Sequence, residues 1–276
     1  MTAENRQFRF DPESAMWKVN GYKGTALGGG GRALHMQIAH PLVAQALDDS
    51  GFLKHDPYHR LKGTMDAGID LIYGTHKSAQ KVADRINGMH QHVHGTLEQT
   101  TGAHQKGHPY DAMDQKLLAW VGATLIDSSI TGYEMFINDL SSDDKDEYLN
   151  NAKDLFTMVH LEPTALPSYY EGLKEYIQDM INTEQVKVGP LAKELAPYTT
   201  LSHTKLSGVA MYGLRRITVY ALPEDLQKQF GYTMPDWERK LIRNLAGFTK
   251  KTVPLMPPYM RYFKQFREAQ RVFEAK

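Results

Sequence analysis

The chain contains no cysteine. A disulfide scaffold, a thiolate-held zinc or iron–sulfur site and a cysteine nucleophile are therefore excluded. An excess of one charge is also missing, since 32 Lys and Arg stand against 32 Asp and Glu in 276 residues. Binding to nucleic acid through bulk neutralisation of phosphates is thereby disfavoured. No window approaches the roughly 20 consecutive apolar residues of a membrane span. Residues 1–20 hold no apolar stretch of signal-peptide length, which gives the expectation of a soluble, cytoplasmic protein. Strand signals, meaning alternating β-branched runs between turn residues, are scarce. The glycine run Gly28 to Gly31 is followed by no Gly-Lys-Ser/Thr, so it is not a phosphate loop. There is no Gly-x-Ser-x-Gly elbow and no His-Glu-x-x-His.

What is present points to a helical protein with a substantial core. The composition is 41% hydrophobic and 10% aromatic, well outside the range of disordered chains. The spacing of apolar residues is helical nearly throughout, and no repeat of 20 to 50 residues occurs. The expected architecture is all-α, a helical bundle in a single domain over residues 1–276. The sequence predicts a first helix over 32–49, kinked or broken at Pro41, with the glycine run as a flexible lead into it. A second starts at Asp56-Pro57 and ends at Tyr73 before Gly74. A third spans 75–94, stopped by Gly95. Residues 96–113 read as a loop, and a long apolar helix follows over 114–136. Ser141 and Asp144 resemble a capping box that opens a helix reaching about residue 159. Further helices are expected near 168–183, 207–221, 236–249 and 259–274.

Ten of the twelve histidines lie between His35 and His108. Most are expected to be ordinary exposed residues. In the third helix Ala79, Val82, Ala83, Ile86 and Val93 define an apolar stripe. At about 100° per residue, His90 lies about 40° from Ile86 and about 20° from Ala83, so it points into that stripe. His94 follows four residues on, and His92 points away. A buried imidazole needs a partner, either a backbone carbonyl or a metal centre. In the second helix Arg60 and Thr64 are four apart, in line with Ala67 and Leu71. A guanidinium there must meet an anion or carbonyls, through an ion pair or through a cofactor carboxylate or bound oxygen. His40 precedes Pro41, where the ring can satisfy a carbonyl freed by the proline. A zinc or di-iron site built on His90 and His94 would need further ligands. Glu134 on the fourth helix has no His three residues on, so a di-iron bundle is a weak alternative.

Several motifs in order then carry a family resemblance. They are Arg32-Ala33-Leu34 with Ile38-Ala39-His40-Pro41-Leu42-Val43, Asp56-Pro57 with Arg60 and Thr64, and Tyr73-Gly74-Thr75. Next come His90-Gln91-His92-Val93-His94-Gly95, Tyr110-Asp111-Ala112-Met113-Asp114 and Leu118-Ala119-Trp120-Val121. The chain resembles the rubber-oxygenase/MpaB-type oxygenase catalytic domain, the family that includes latex clearing protein, over roughly residues 22–275. The resemblance implies a globin-like helical core and a b-type heme held by one histidine, which matches His90. It also implies that Arg60 and Thr64 lie on the distal side, with His40 and His94 near the cofactor or its propionates. The implied chemistry is dioxygen-dependent attack on a hydrophobic, isoprenoid- or lipid-like substrate. The chain departs from rubber-cleaving members at three positions: Gly63 replaces a lysine, His94 an arginine and Gly122 a histidine. A heme carrier or sensor without turnover, a non-heme metal enzyme using His90 and His94, and a helical protein without cofactor are the rival readings.

Overall fold

The computed structural model describes residues 7–51, 56–200 and 208–275. Among them are fourteen α-helices and one two-stranded sheet. The chain opens with α1 (Ala15–Gly21), α2 (Lys23–Ala39) and α3 (Pro41–Asp49). The expected first helix is thus two, divided at His40, because Pro41 has no N–H to continue the ladder. Then come α4 (Pro57–Tyr73), capped by the Asp56 carboxylate accepting from the His59 N–H at 3.2 Å, and α5 (His76–His90), capped by Thr75. The sheet is β1 (His94–Thr96) against β2 (Pro109–Asp111), antiparallel, with Gly95 opposite Tyr110. The long α6 (Gln115–Phe136) follows, then α7 (Ser142–Phe156), whose Ser141/Asp144 capping box is formed. The second half holds α8 (Tyr170–Asn182), α9 (Pro190–Thr199), α10 (Val209–Ala221), α11 (Glu224–Phe230), α12 (Asp236–Thr252), the short α13 (Pro258–Arg261) and α14 (Lys264–Glu274).

The glycine run is not a lead. It lies inside α2, at the crossing with α6. A Cβ on Gly29 would come within 2.3 Å of the Ser128 carbonyl oxygen, and one on Gly132 within 2.4 Å of the Thr25 oxygen. Only hydrogen fits between these backbones. The pair is also tied by polar contacts that the close approach makes possible. The Trp120 indole donates to the Met36 carbonyl at 3.1 Å, and Arg32 donates to Asp127 at 2.5 Å and to Ser128 at 2.8 Å. Tyr170 donates to the other Asp127 oxygen at 2.6 Å. Both charges are buried, and removing one partner of such a pair costs about 3–5 kcal/mol. Around this crossing a continuous core runs from Phe8 to Ala269. A second cluster joins Phe136, Ile137, Ile217, Ile242 and Ala246 beneath α12.

Candidate functional site

Helices α4 and α5 form a hairpin joined by Gly74 and Thr75 alone. At about 1.5 Å per residue, Arg60 on α4 and His90 on α5 each stand roughly 20 Å from that turn. Both positions lie toward the ends of the two helices remote from the turn, and the side chain of Arg60 lies outside the described side chains. Ala67, Leu71, Ala79 and Ala83 seat it in the core. The end carrying His90 is fixed separately: the Asn87 amide donates to the Met158 carbonyl at 2.9 Å, one turn before His90. Asn87 lies on the same stripe as Ala83, about 40° away by the helical period. A polar residue at a buried position was the signal that could have found this anchor.

His90 is the last residue of α5 and is half-buried, with its Nδ1 sealed from solvent. The expected helix over 75–94 stops four residues early. Gln91 caps α5, and the chain turns into β1. His94 is therefore not on the helical face of His90. It is exposed on β1, opposite Asp111. Gly95 is not a helix stop either, because its Cβ would meet the Tyr110 hydroxyl at 2.6 Å. It marks the close approach of the two strands. His92 is exposed, its Nδ1 on the Gly88 carbonyl at 2.8 Å.

Thr64 is exposed, as are its neighbours Lys62, Gly63 and Met65. The apolar line through Ala67 and Leu71 ends before it reaches Thr64. Lys62 pairs with Asp66 one turn on. Open space surrounds Gly63, with nothing within 4 Å of an added Cβ, whereas at Gly122 the side chains of Leu161 and Phe156 fill the room a larger residue would take.

His40 is buried at the N-terminus of α3, where its Nδ1 accepts from the Leu42 N–H at 3.3 Å. It satisfies a free helix donor rather than the carbonyl expected. Its ring lies 5.1 Å from that of His104 and 6.4 Å from that of Trp120. Burial, with His104 as a lesser cause, pulls its pKa down to about 3, so the ring is neutral. His104 comes from the loop between the strands, and nothing in its sequence neighbourhood marked it.

A b-type heme takes one imidazole from the chain, oriented through its other nitrogen, and a face free to receive the ring. His90 is the right donor, with Nδ1 turned into protein, while Gly63 on α4 lies on an exposed stretch, so the space beside it is open to solvent. The donor fits such a group. The cleft lined by Ala196, Arg215, Phe230 and Tyr232 has about 90 Å³ of free space and touches neither His90 nor Thr64. That is well below the roughly 300 Å³ at which small-molecule sites begin. Among the described residues no three His, Asp or Glu side chains converge as metal ligands. Glu134 is occupied by Lys145 at 2.9 Å and the Leu140 N–H at 3.2 Å. Among the described residues no helix is long and apolar enough to cross a membrane.

No curated protein and no solved structure matches the chain. Residues 17–251 do match the catalytic domain described as ER-bound oxygenase mpaB/B'/rubber oxygenase, and with most of its length matched the chain belongs to that family of oxygenase catalytic domains.

Proposed function

We propose that the chain is a heme b-dependent oxygenase that uses dioxygen on a hydrophobic, isoprenoid- or lipid-like substrate. The observation that carries this reading is His90, the histidine of the family motif, placed at the end of α5 with one ring nitrogen shielded from water. When bound, heme would supply the iron at which dioxygen is brought to a carbon–carbon double bond. His90 would hold it through the imidazole, with the shielded ring nitrogen turned into protein to orient the ring. Anchoring through Asn87 keeps the imidazole from swinging with the end of the helix. Arg60 and Thr64 would work from α4, the arginine by its permanent charge and the threonine by a hydroxyl that can donate or accept. His94, exposed on β1, would meet propionates at the rim. His40 would act only through the packing of Trp120, since it is buried and neutral.

The test is the absorbance spectrum of protein produced with ample heme, together with oxygen uptake in the presence of isoprenoid or unsaturated lipid. The native chain is expected to show a Soret band that His90→Ala abolishes or shifts. Arg60→Ala is expected to retain heme and lose about a hundredfold or more of the uptake rate, the scale for one electrostatic contact in the transition state. A Soret band identical in His90→Ala defeats the ligand assignment. Heme without any oxygen uptake favours a carrier or sensor.

A further inference from the structure

Helix α12 has two unlike faces. Inward, Ile242, Ala246 and Val253 pack on Phe136, Ile137 and Ile217. Glu238 on this side is held by Arg216 at 2.5 Å, and Lys250 reaches Asp139 at 2.6 Å. Outward, Trp237, Leu241, Leu245 and Phe248 are all exposed, the tryptophan at 66% and the phenylalanine at 64%. By the helical period these four fall within an arc of about 80°. A contiguous apolar stripe of this kind on a surface helix marks an interaction site. Lys240 and Lys251 are also exposed and fall on one flank of it, about 60° and 40° from Trp237 by the same period. The chain that continues α12 exposes Leu255 and Tyr259.

Charge identifies the partner. Residues 236–264 hold seven cations, Arg239, Lys240, Arg243, Lys250, Lys251, Arg261 and Lys264, and two acids, Asp236 and Glu238, in a chain whose net charge is zero. Lys250 and Lys264 are paired with Asp139 and Glu268 from outside the segment. Two copies meeting through α12 about a twofold axis would set these cations against their own copies. An anionic lipid surface complements them. Trp, Leu and Phe beside Lys and Arg form the composition of helices that lie in the headgroup region with the cations reaching to phosphates. No described helix can cross a bilayer, so the contact is peripheral. We propose that the outer face of α12 docks on an anionic phospholipid membrane, with Trp237, Leu241, Leu245 and Phe248 entering the headgroup boundary.

The test is sedimentation of the full chain with vesicles, either of phosphatidylcholine alone or of an equal mixture of phosphatidylcholine and phosphatidylglycerol. Two cations near an anionic surface predict binding to the mixture tighter on the order of thirtyfold at low salt. Trp237→Ser with Phe248→Ser should weaken it about tenfold or more, and Lys240→Glu with Lys251→Glu should remove the preference for the mixture. Trp17 and Trp120 are buried at 1% and 0%, so acrylamide quenching of tryptophan fluorescence reports mainly on Trp237 and should fall when anionic vesicles are added. Absence of vesicle binding overturns the proposal, as does binding unchanged in the Trp237→Ser/Phe248→Ser variant. Self-association abolished by those substitutions, without vesicle binding, assigns the face to a second copy and also overturns it. None of these readouts needs heme, so a failure here leaves the oxygenase reading standing, and the reverse holds too.

Discussion

His35 and His40 are both buried, and their hydrogen bonds fix opposite neutral forms. His35 Nδ1 lies 3.0 Å from the Gly31 carbonyl and 3.0 Å from the Thr199 hydroxyl, whose own proton goes to the Ala196 carbonyl. The ring therefore carries its proton on Nδ1 and accepts from the Tyr232 hydroxyl at Nε2, 3.0 Å away. His40 accepts at Nδ1, so its proton is on Nε2. Burial lowers the pKa of His35 to about 4 and that of His40 to about 3. An unfolded chain protonates both near pH 6.5, so it binds more protons than the native state below that value. Stability is then full above about pH 6.5 and falls as the pH drops toward 4. Between pH 7.5 and 5.5 the two rings together should cost about 2.5 kcal/mol, read as a lower urea midpoint. His40→Gln keeps an acceptor for the Leu42 N–H and should remove about half of that pH dependence. A midpoint that does not move over this interval would refute the assignment.

The crossing of α2 and α6 depends on glycine more than on any apolar side chain. Gly29→Ala sets a methyl within 2.3 Å of the Ser128 carbonyl oxygen. Backbone cannot rotate aside, so the helices must part. Overpacking of this kind costs about 1–3 kcal/mol, against a gain of up to about 1 kcal/mol in helix propensity. Gly30 is the control, since nothing lies within 4 Å of its Cβ. Gly30→Ala is expected to raise the thermal midpoint and Gly29→Ala to lower it; equal effects would show that the crossing is not tight. Four glycines in a row look like flexible chain because propensity is local, and the segment that needs two of them, Gly28 and Gly29, lies around Gly132, about a hundred residues away. Elements with their own punctuation were legible: α4 from Asp56-Pro57 to Gly74, α6 behind Asp114, α7 from its capping box. Helices α1 and α11 have seven residues each, too few for a period to declare itself, and α9 carries Pro197 inside it. The strands have three residues each, so no alternation could be read, and the end of α5 and the setting of His94 were lost with them. The apolar stripe of α5 was legible because it spans about three helical turns, Ala79 to His90, although His90 at its end is only half-buried.

Across the whole molecule, the hairpin that carries Arg60, Thr64 and His90 is held at its turn by residues from both ends of the chain. Trp17 on α1 packs edge-on to Tyr73, the last residue of α4, at 4.8 Å between ring centroids, and the Tyr73 hydroxyl donates to the Trp17 carbonyl at 2.7 Å. Helix α14, beyond the family match at 17–251, closes over them. Phe266 meets Tyr73 at 5.5 Å, and Phe273 meets Phe8 at 5.1 Å and Trp17 at 5.4 Å. The Trp17 indole donates to Gln270 at 3.2 Å. The abundance of aromatic residues signalled a core, but nothing in the sequence pairs positions some 250 residues apart. Phe266→Ala and Phe273→Ala should each destabilise by about 3 kcal/mol, the low end for phenylalanine truncation because both rings are only partly buried. Both rings touch Trp17, so the double variant should lose measurably more or less than the sum of the two. Phe248→Ala, on the exposed face of α12, should stay within about 0.5 kcal/mol of the parent. Denaturant unfolding of the four variants checks this. Additive losses at Phe266 and Phe273, or losses no larger than that at Phe248, would mean that α14 does not brace the turn and that the hairpin stands on the α2–α6 core alone.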